Sequence, residues 1–325
     1  MMFERIRVLI MKKNKLLQAA ALSTITAGAI YAINKSISIF ANAGAALSNP
    51  KGLQFQWRFG NIFYTKQGEG KPILLIHDLT CGSSDLEWKS IINTYAKDHT
   101  VYTIDLLGCG RSDKPAITYT NYMYVQLITD FIKNIIGHRT DVCVTGNSCS
   151  MVLMACYNDD TLFDKIMLIN PSHIESSSSS KINTKLSKLL LEMPLIGTLI
   201  FNMKNTRQAY RNLFETKYFY NPFAVRHSFV KNYYDASHFG TNTSKYLFAS
   251  IDANYTGINT SRAVKDINNS IFIVSGEYDD HSREIAADYV ELNPSIEVST
   301  INKTKHLPQL ENPNAVLNAM SIFFN

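Results

Sequence analysis

The stretch Asp141-Val-Cys-Val-Thr-Gly146-Asn147-Ser148-Cys149-Ser150 decides how the rest of the chain is read. Its first half is short, apolar and rich in β-formers, and residues 151–157 then take a helical period. A serine on a sharp strand-to-helix turn presents its hydroxyl outward at the carboxyl end of a sheet. The turn is tight, so the residues two positions either side must be small. Gly146 meets that demand on one side of Ser148, and Ser150 stands on the other, small but carrying a Cβ. The helix that opens there aims backbone N–H groups at developing negative charge. Such a string is common by accident, so its weight depends on its surroundings.

Working outward, apolar β-rich runs recur at 55–59, 62–65, 73–77, 101–106, 142–145, 166–169, 271–274 and 296–301. Helix-period segments at 85–97, 122–136 and 151–157 separate several of them. Alternation of this kind, with fully apolar strands, predicts an α/β fold: a mostly parallel sheet covered by helices on both faces. Gly60-Asn61 joins the first two runs as a hairpin, so an antiparallel N-terminal edge precedes the parallel part. The rhythm stops between 172 and 262, where the chain is helical and dense in aromatics. That insertion, after the sixth strand, reads as a helical cap; Phe214, Phe219 and Tyr220 are its candidates for lining an apolar cleft. A serine run at 176–180 reads as a hinge.

Two later elements strengthen the serine reading. Ile271-Phe-Ile-Val-Ser-Gly276-Glu277-Tyr278-Asp279 is a strand ending in a carboxylate, and Lys305-His306-Leu307-Pro308 follows the last strand. Ser, Asp and His in that order, each just beyond a strand, would line up a nucleophile, an orienting acid and a base along one sheet edge. Asp280 is a reserve carboxylate.

These strings bring a family into view. From about residue 55 to 324 the chain resembles the α/β-hydrolase superfamily. Its nearest branch is the capped one of esterases, carbon–carbon bond hydrolases, epoxide hydrolases and haloalkane dehalogenases. The matching motifs are Ile73-Leu-Leu-Ile-His77-Asp78, Asp105-Leu-Leu-Gly108-Cys-Gly110-Arg-Ser-Asp-Lys-Pro115, Gly276-Glu277-Tyr278-Asp279 and His306-Leu-Pro-Gln-Leu-Glu311-Asn-Pro313. The resemblance implies Ser148 as nucleophile, Asp279 as acid and His306 as base, with the backbone amides of Leu79 and Cys149 as the oxyanion hole. A serine nucleophile disfavours epoxide and haloalkane chemistry, which in this branch resembles attack by a carboxylate.

One position departs from the pattern. Asp78 stands where the family has glycine, beside the expected oxyanion donor at Leu79. A carboxylate about 4 Å from a developing oxyanion opposes it by roughly 4 kcal/mol at an effective dielectric of 20. Asp78 must therefore point away, be protonated or be paired, and Arg111 is the candidate partner.

Charge and composition bound the rest. The net charge of +5 resides entirely in residues 1–35, which hold Arg5, Arg7, Lys12, Lys13, Lys15 and Lys35 against Glu4. The neutral body gives no electrostatic reason to expect a nucleic acid. Residues 16–34 carry no charge and would run about 28 Å as a helix, close to the thickness of a bilayer core. They read as a membrane anchor or a signal segment, with small-x-small cleavage patterns ending at Ala29 and Ala43, or else as an amphipathic helix lying on the domain; a basic segment at 1–15 precedes them and a linker at 35–54 follows. The expected core is 55–171 with 263–325, the cap is 172–262, and the core lies outside the cytoplasm. Five cysteines form no disulfide framework. Gly108-Cys109-Gly110 lacks the third glycine of a dinucleotide loop, and no CxxC or HExxH spacing occurs, so neither cofactor nor metal is expected. The expected function is a serine hydrolase cleaving a small apolar ester through an acyl-enzyme. The alternatives are a carbon–carbon hydrolase or thioesterase on the same triad, or a non-catalytic ligand-binding homologue. Oligomeric state is not legible.

Overall fold

The computed structural model describes residues 2–43, 47, 52–175, 182–240 and 243–325; the serine run at 176–180 lies outside the described residues. Eight strands form one sheet: β1 (Leu53–Trp57), β2 (Gly60–Gln67), β3 (Lys71–Ile76), β4 (His99–Ile104), β5 (Thr140–Thr145), β6 (Phe163–Ile169), β7 (Ile271–Gly276) and β8 (Glu297–Ile301). Their order is β1-β2-β4-β3-β5-β6-β7-β8. Strand β2 is antiparallel to both β1 and β4, and the other pairings are parallel. The antiparallel edge and parallel body match the reading of the sequence.

The central strands show why. In β3, Leu74 and Ile76 enter one apolar cluster while Ile73 and Leu75 enter another; in β5, Val142 and Val144 face the first and Cys143 the second. Successive side chains point to opposite faces, so a strand buried on both sides must be apolar throughout. Helix α1 (Met2–Asn42) precedes the sheet. Helices α2 (Lys89–Tyr95), α3 (Asn121–Phe131) and α4 (Ser148–Asn158) follow within it. Between β6 and β7 come α5 (Ile182–Glu192), α6 (Ile196–Lys204), α7 (Arg207–Leu213), α8 (His227–His238), α9 (Ser244–Asp252) and α10 (Ser261–Asp266). The last are α11 (Ser282–Leu292), α12 (Pro308–Glu311) and α13 (Pro313–Phe324). Helices α3 and α4 cover one face of the sheet, and α2 and α13 the other.

The insertion between β6 and β7 has its own core of Tyr210, Phe214, Tyr218, Phe219, Val230 and Tyr233, completed by Leu307 and Leu310. The cap therefore packs directly on the loop that carries His306. An antiparallel bridge between Glu175 and Asn259 joins the two ends of the insertion.

The N-terminal region differs from expectation. Helix α1 runs unbroken to Asn42, so the expected linker is helical over its first eight residues. Its later half packs on α6 and α8 through specific polar contacts: Asn34 Nδ2 donates to the Leu195 carbonyl, and Asn202 Nδ2 donates to Asn34 Oδ1. Among the described residues no single helix is long and apolar enough to cross a membrane.

Candidate functional site

The parallel register of β3 and β5 pairs Ile76 with Val144, so two residues further on Asp78 and Gly146 face each other. Gly146 is the tight turn between β5 and α4, and its φ of 62° is the left-handed conformation that glycine accepts without strain. A Cβ built there would lie 2.2 Å from Asp78 Oδ1 and 2.3 Å from its Cγ. The carboxylate of Asp78 thus fills the space that a side chain at the turn would take.

Asp78 is buried, and each of its oxygens is committed. Oδ1 accepts the backbone N–H of Leu79 at 2.7 Å and that of Asn147 at 2.7 Å. Oδ2 lies 3.2 Å from His306 Nε2. On the far side of the imidazole, Nδ1 is 3.4 Å from Asp279 Oδ2. With carboxylate oxygens at both ring nitrogens, His306 donates twice and is an imidazolium. Burial alone would lower its pKa, but the hydrogen bonds and charges of Asp279 and Asp78 outweigh burial and lift it to about 10. Burial likewise opposes ionisation of Asp78, yet His306 and the two amides hold its pKa below the usual value.

The structure brings Asp279 and His306 together and leaves Ser148 apart. Ser148 is the first residue of α4, fully buried, and its hydroxyl donates to the His77 carbonyl at 2.7 Å. It occupies the small position two residues beyond the turn, where a helix must approach β3 closely. The turn itself is at Gly146, two residues earlier than the sequence motif placed it. The Leu79 amide is aimed at Asp78 Oδ1, and the second amide there is that of Asn147. The N–H of Cys149 is already given to the Gly146 carbonyl at 3.2 Å. Arg111, the proposed partner of Asp78, instead binds Asp105 and Asp85. Asp280 pairs with Lys217 at 2.6 Å and leaves His306 to Asp279.

Several residues that position the site carry no motif. His77 Nε2 accepts the Leu106 N–H, so its proton is on Nδ1 and is donated to the Asp78 carbonyl at 2.6 Å. Asn170, after β6, donates from Nδ2 to the carbonyls of Lys305 and His306 and accepts the Gly276 N–H at Oδ1. It thereby fastens the His306 loop to β7. Glu311 accepts the N–H of Lys305 and those of Tyr220 and Asn221 in the cap. Glu87 accepts the Asp78 N–H and the Tyr233 hydroxyl, and burial together with the Asp78 charge pushes its pKa up to about 7.

Above Asp78 and His306 lies a cavity of about 410 Å³, bounded by Gly146, Asn147, Leu213 and Tyr218 among others. Tyr218 stacks on His306 with ring centroids 5.2 Å apart. Phe214 and Phe219 belong instead to the packing of the cap, and the Tyr220 ring packs tilted against Tyr278. Among the described residues no three His, Cys, Asp or Glu side chains converge as metal ligands. All five cysteines are free and buried, and burial raises the Cys149 thiol well above its ordinary pKa.

Comparison with known proteins follows the same outline. A model described as the alpha/beta hydrolase family matches residues 73–319. Over 86 residues the chain is 35% identical to a 2-hydroxy-6-oxo-6-(2'-aminophenyl)hexa-2,4-dienoic acid hydrolase of Metapseudomonas resinovorans, a match covering 26% of this chain and 29% of the relative. That stretch is under a third of the relative's length. Among solved structures, a serine hydrolase involved in carbazole degradation aligns with a TM-score of 0.69 at 18% identity, covering 84% of this chain and 98% of the other. An epoxide hydrolase aligns with a TM-score of 0.70 at 17% identity over the same shares. At these identities the structural likeness speaks to the fold.

Proposed function

The chain belongs to the α/β-hydrolase family, and on that premise we propose that it hydrolyses a small molecule at a saturated carbon bearing a leaving group, with Asp78 as the nucleophile. One observation carries this reading: the Asp78 carboxylate stands in place of a side chain at the β5 turn, with one oxygen in the two-amide cradle and the other on His306.

The chemistry follows from that placement. Asp78 Oδ2 attacks the carbon, a C–O bond forms, and the leaving group departs with the bonding pair. Esterification removes the Asp78 charge. His306 then loses one of the two carboxylates that raise its pKa and gives its Nε2 proton to the departing oxygen of an epoxide or, where the leaving group is halide, to solvent water. The neutral imidazole, still held at Nδ1 by Asp279, takes a proton from water as the water attacks Asp78 Cγ. Oδ1 becomes the oxyanion where it already receives the amides of Leu79 and Asn147. Collapse breaks the Cγ–Oδ2 bond, the product alcohol takes its proton from His306, and Asp78 retains the oxygen that came from water.

Acyl transfer by Ser148 is the second reading, favoured by the Gly146-Asn147-Ser148 string and the local match to a dienoic acid hydrolase. It requires Asp78 to vacate the cradle and Ser148 to exchange the His77 carbonyl for His306.

A single turnover in H₂¹⁸O separates the two readings, using a panel of 1,2-epoxides and 1-haloalkanes set against p-nitrophenyl esters and thioesters. Expected are turnover of the first group, a 2 Da gain in the peptide containing Asp78, and loss of at least about 10³-fold in kcat for Asp78→Ala. Ester cleavage with fluorophosphonate labelling that disappears in Ser148→Ala overturns the proposal in favour of the serine. Absence of turnover by folded protein across the panel, with ligand binding in the cavity retained, assigns a binding role.

A further inference from the structure

Helix α1 leaves an unusual share of its apolar surface uncovered by the protein. Two of its polar residues point at the protein: Asn34 is 4% exposed and bonded to Leu195 and Asn202, while Asn42 donates to the His238 carbonyl and accepts the Gly240 N–H; Lys35, Ser36 and the hydroxyl residues 23, 24 and 26 are exposed. Its large apolar residues point away, with Leu22, Ile25, Ile33 and Phe40 between 50% and 75% exposed. A water-facing helix buries the opposite set.

The same polarity continues on the cap. Leu186, Leu189, Met193, Ile196 and Met203 of α5, α6 and their junction are all exposed by more than 40%. The segments Thr184–Glu192 and Ile196–Lys204 are together apolar enough to enter a membrane, but they bend through 106° at their junction and form a hairpin. The charges within α5 are partly neutralised by the Lys188–Glu192 pair at 2.5 Å. Between α1 and this hairpin runs a groove of about 610 Å³, lined by Leu22, Thr26, Ala27, Ile30 and residues 193–196.

We propose that α1 and the α5–α6 hairpin form one face that lies in the interfacial layer of an anionic lipid bilayer, so that the cap itself, and not the N-terminal helix alone, meets the membrane. Polar groups satisfied inward and apolar groups presented outward are the arrangement that hydrocarbon surroundings select. An apolar surface that extends across separate elements marks a site of association. The charge pattern supplies the choice of lipid: Arg5, Arg7, Lys12, Lys13, Lys15 and Lys35 confine the chain's whole excess of positive charge to the segment that carries α1. This inference is independent of the reacting group in the cavity.

The test is co-sedimentation of the full chain with vesicles of phosphatidylcholine alone and with 30% phosphatidylglycerol added. Binding is expected to the mixed vesicles, to fall with salt, and to drop at least tenfold in the triple variant Leu186→Glu, Leu189→Glu, Met203→Glu. These positions are exposed, so the variant should retain the circular dichroism and Tm of the parent. Ile322→Glu, which is 81% exposed on α13, should bind as the parent does. Failure of the parent to bind mixed vesicles overturns the proposal. So does unchanged binding by the cap variant, which leaves α1 as the sole attachment. A parent that is dimeric without lipid and is made monomeric by the cap substitutions overturns it in favour of a second copy of this chain.

Discussion

The two walls of the cavity are built by different means. On the β3–β5 side, Asp78 Oδ1 rests on two backbone amides, with His77 and Ser148 locked beneath it by hydrogen bonds to main-chain groups. On the β7–β8 side, His306 rests on side chains: Asp279 at one nitrogen, Tyr218 on its face, and Asn170 and Glu311 holding its loop. A backbone cradle is fixed by the fold and changes only when its occupant does. A side-chain cradle can be loosened one residue at a time and coupled to the cap. On the proposed mechanism the attacking group would belong to the rigid wall and the base to the adjustable one.

That contrast can be tested at four points. Gly146→Ala is expected to do most damage: its Cβ would collide with the Asp78 carboxylate, and φ of 62° is strained for any residue with a Cβ. Loss of about 2–3 kcal/mol in urea unfolding and at least ~10²-fold in kcat is expected. A stability close to that of the parent would show that the rigid wall yields.

The second test is pH. The pKa of His306 is raised by its partners, so their pairing stabilises the fold fully below about pH 6.5 and is lost as pH rises through about 10. Asp78 behaves in the opposite sense: its pKa is lowered, so its contribution is present above the usual carboxylate range and lost on acidification. Urea midpoints at pH 6.5 and 10.5 should differ by a stability on the order of 3 kcal/mol in the parent, and by clearly less in Asp78→Asn.

Asn170→Ala removes three hydrogen bonds from the adjustable wall. It should cost about 1–2 kcal/mol, and kcat should fall roughly tenfold through displacement of His306. A merely structural role would leave kcat and its pH profile unchanged. Ser148→Ala closes the series. It forfeits one buried hydrogen bond, costing about 1 kcal/mol, and changes kcat by less than about threefold, within the effect of losing a supporting contact.

What the sequence disclosed differs between the same two walls. Asp279 and His306 were legible because each follows a strand and needs no register to be found. The turn at the end of β5 was harder, since Gly146-Asn147-Ser148 fits two placements two residues apart, and only pairing of Ile76 with Val144 chooses between them. Gly146 carries the left-handed turn, and Ser148 opens α4 with its hydroxyl on the His77 carbonyl and apart from His306. The residue that separates the two placements is Asp78, whose carboxylate fills the space a side chain at Gly146 would take. Asn170, Glu87 and Glu311 had no local signature, because each acts on chain that is distant in sequence. The sheet was open to reading because hydrophobic period is a local property. The outward apolar face of α1 was not, since a run of uncharged residues does not say which side meets the protein.

The contact between Asp78 and His306 spans 228 residues of chain. Its halves hang from β3 and from the loop beyond β8, an interior strand and the far edge of the sheet. Distant pairings of this kind form late, after loop-closure entropy has been overcome. A folding chain with β3 beside β5 but β8 undocked would hold the Asp78 carboxylate in the amides without His306 beside it. Competence at this site is therefore a readout of complete folding, and recovery of activity should trail the burial of Trp88 seen by fluorescence.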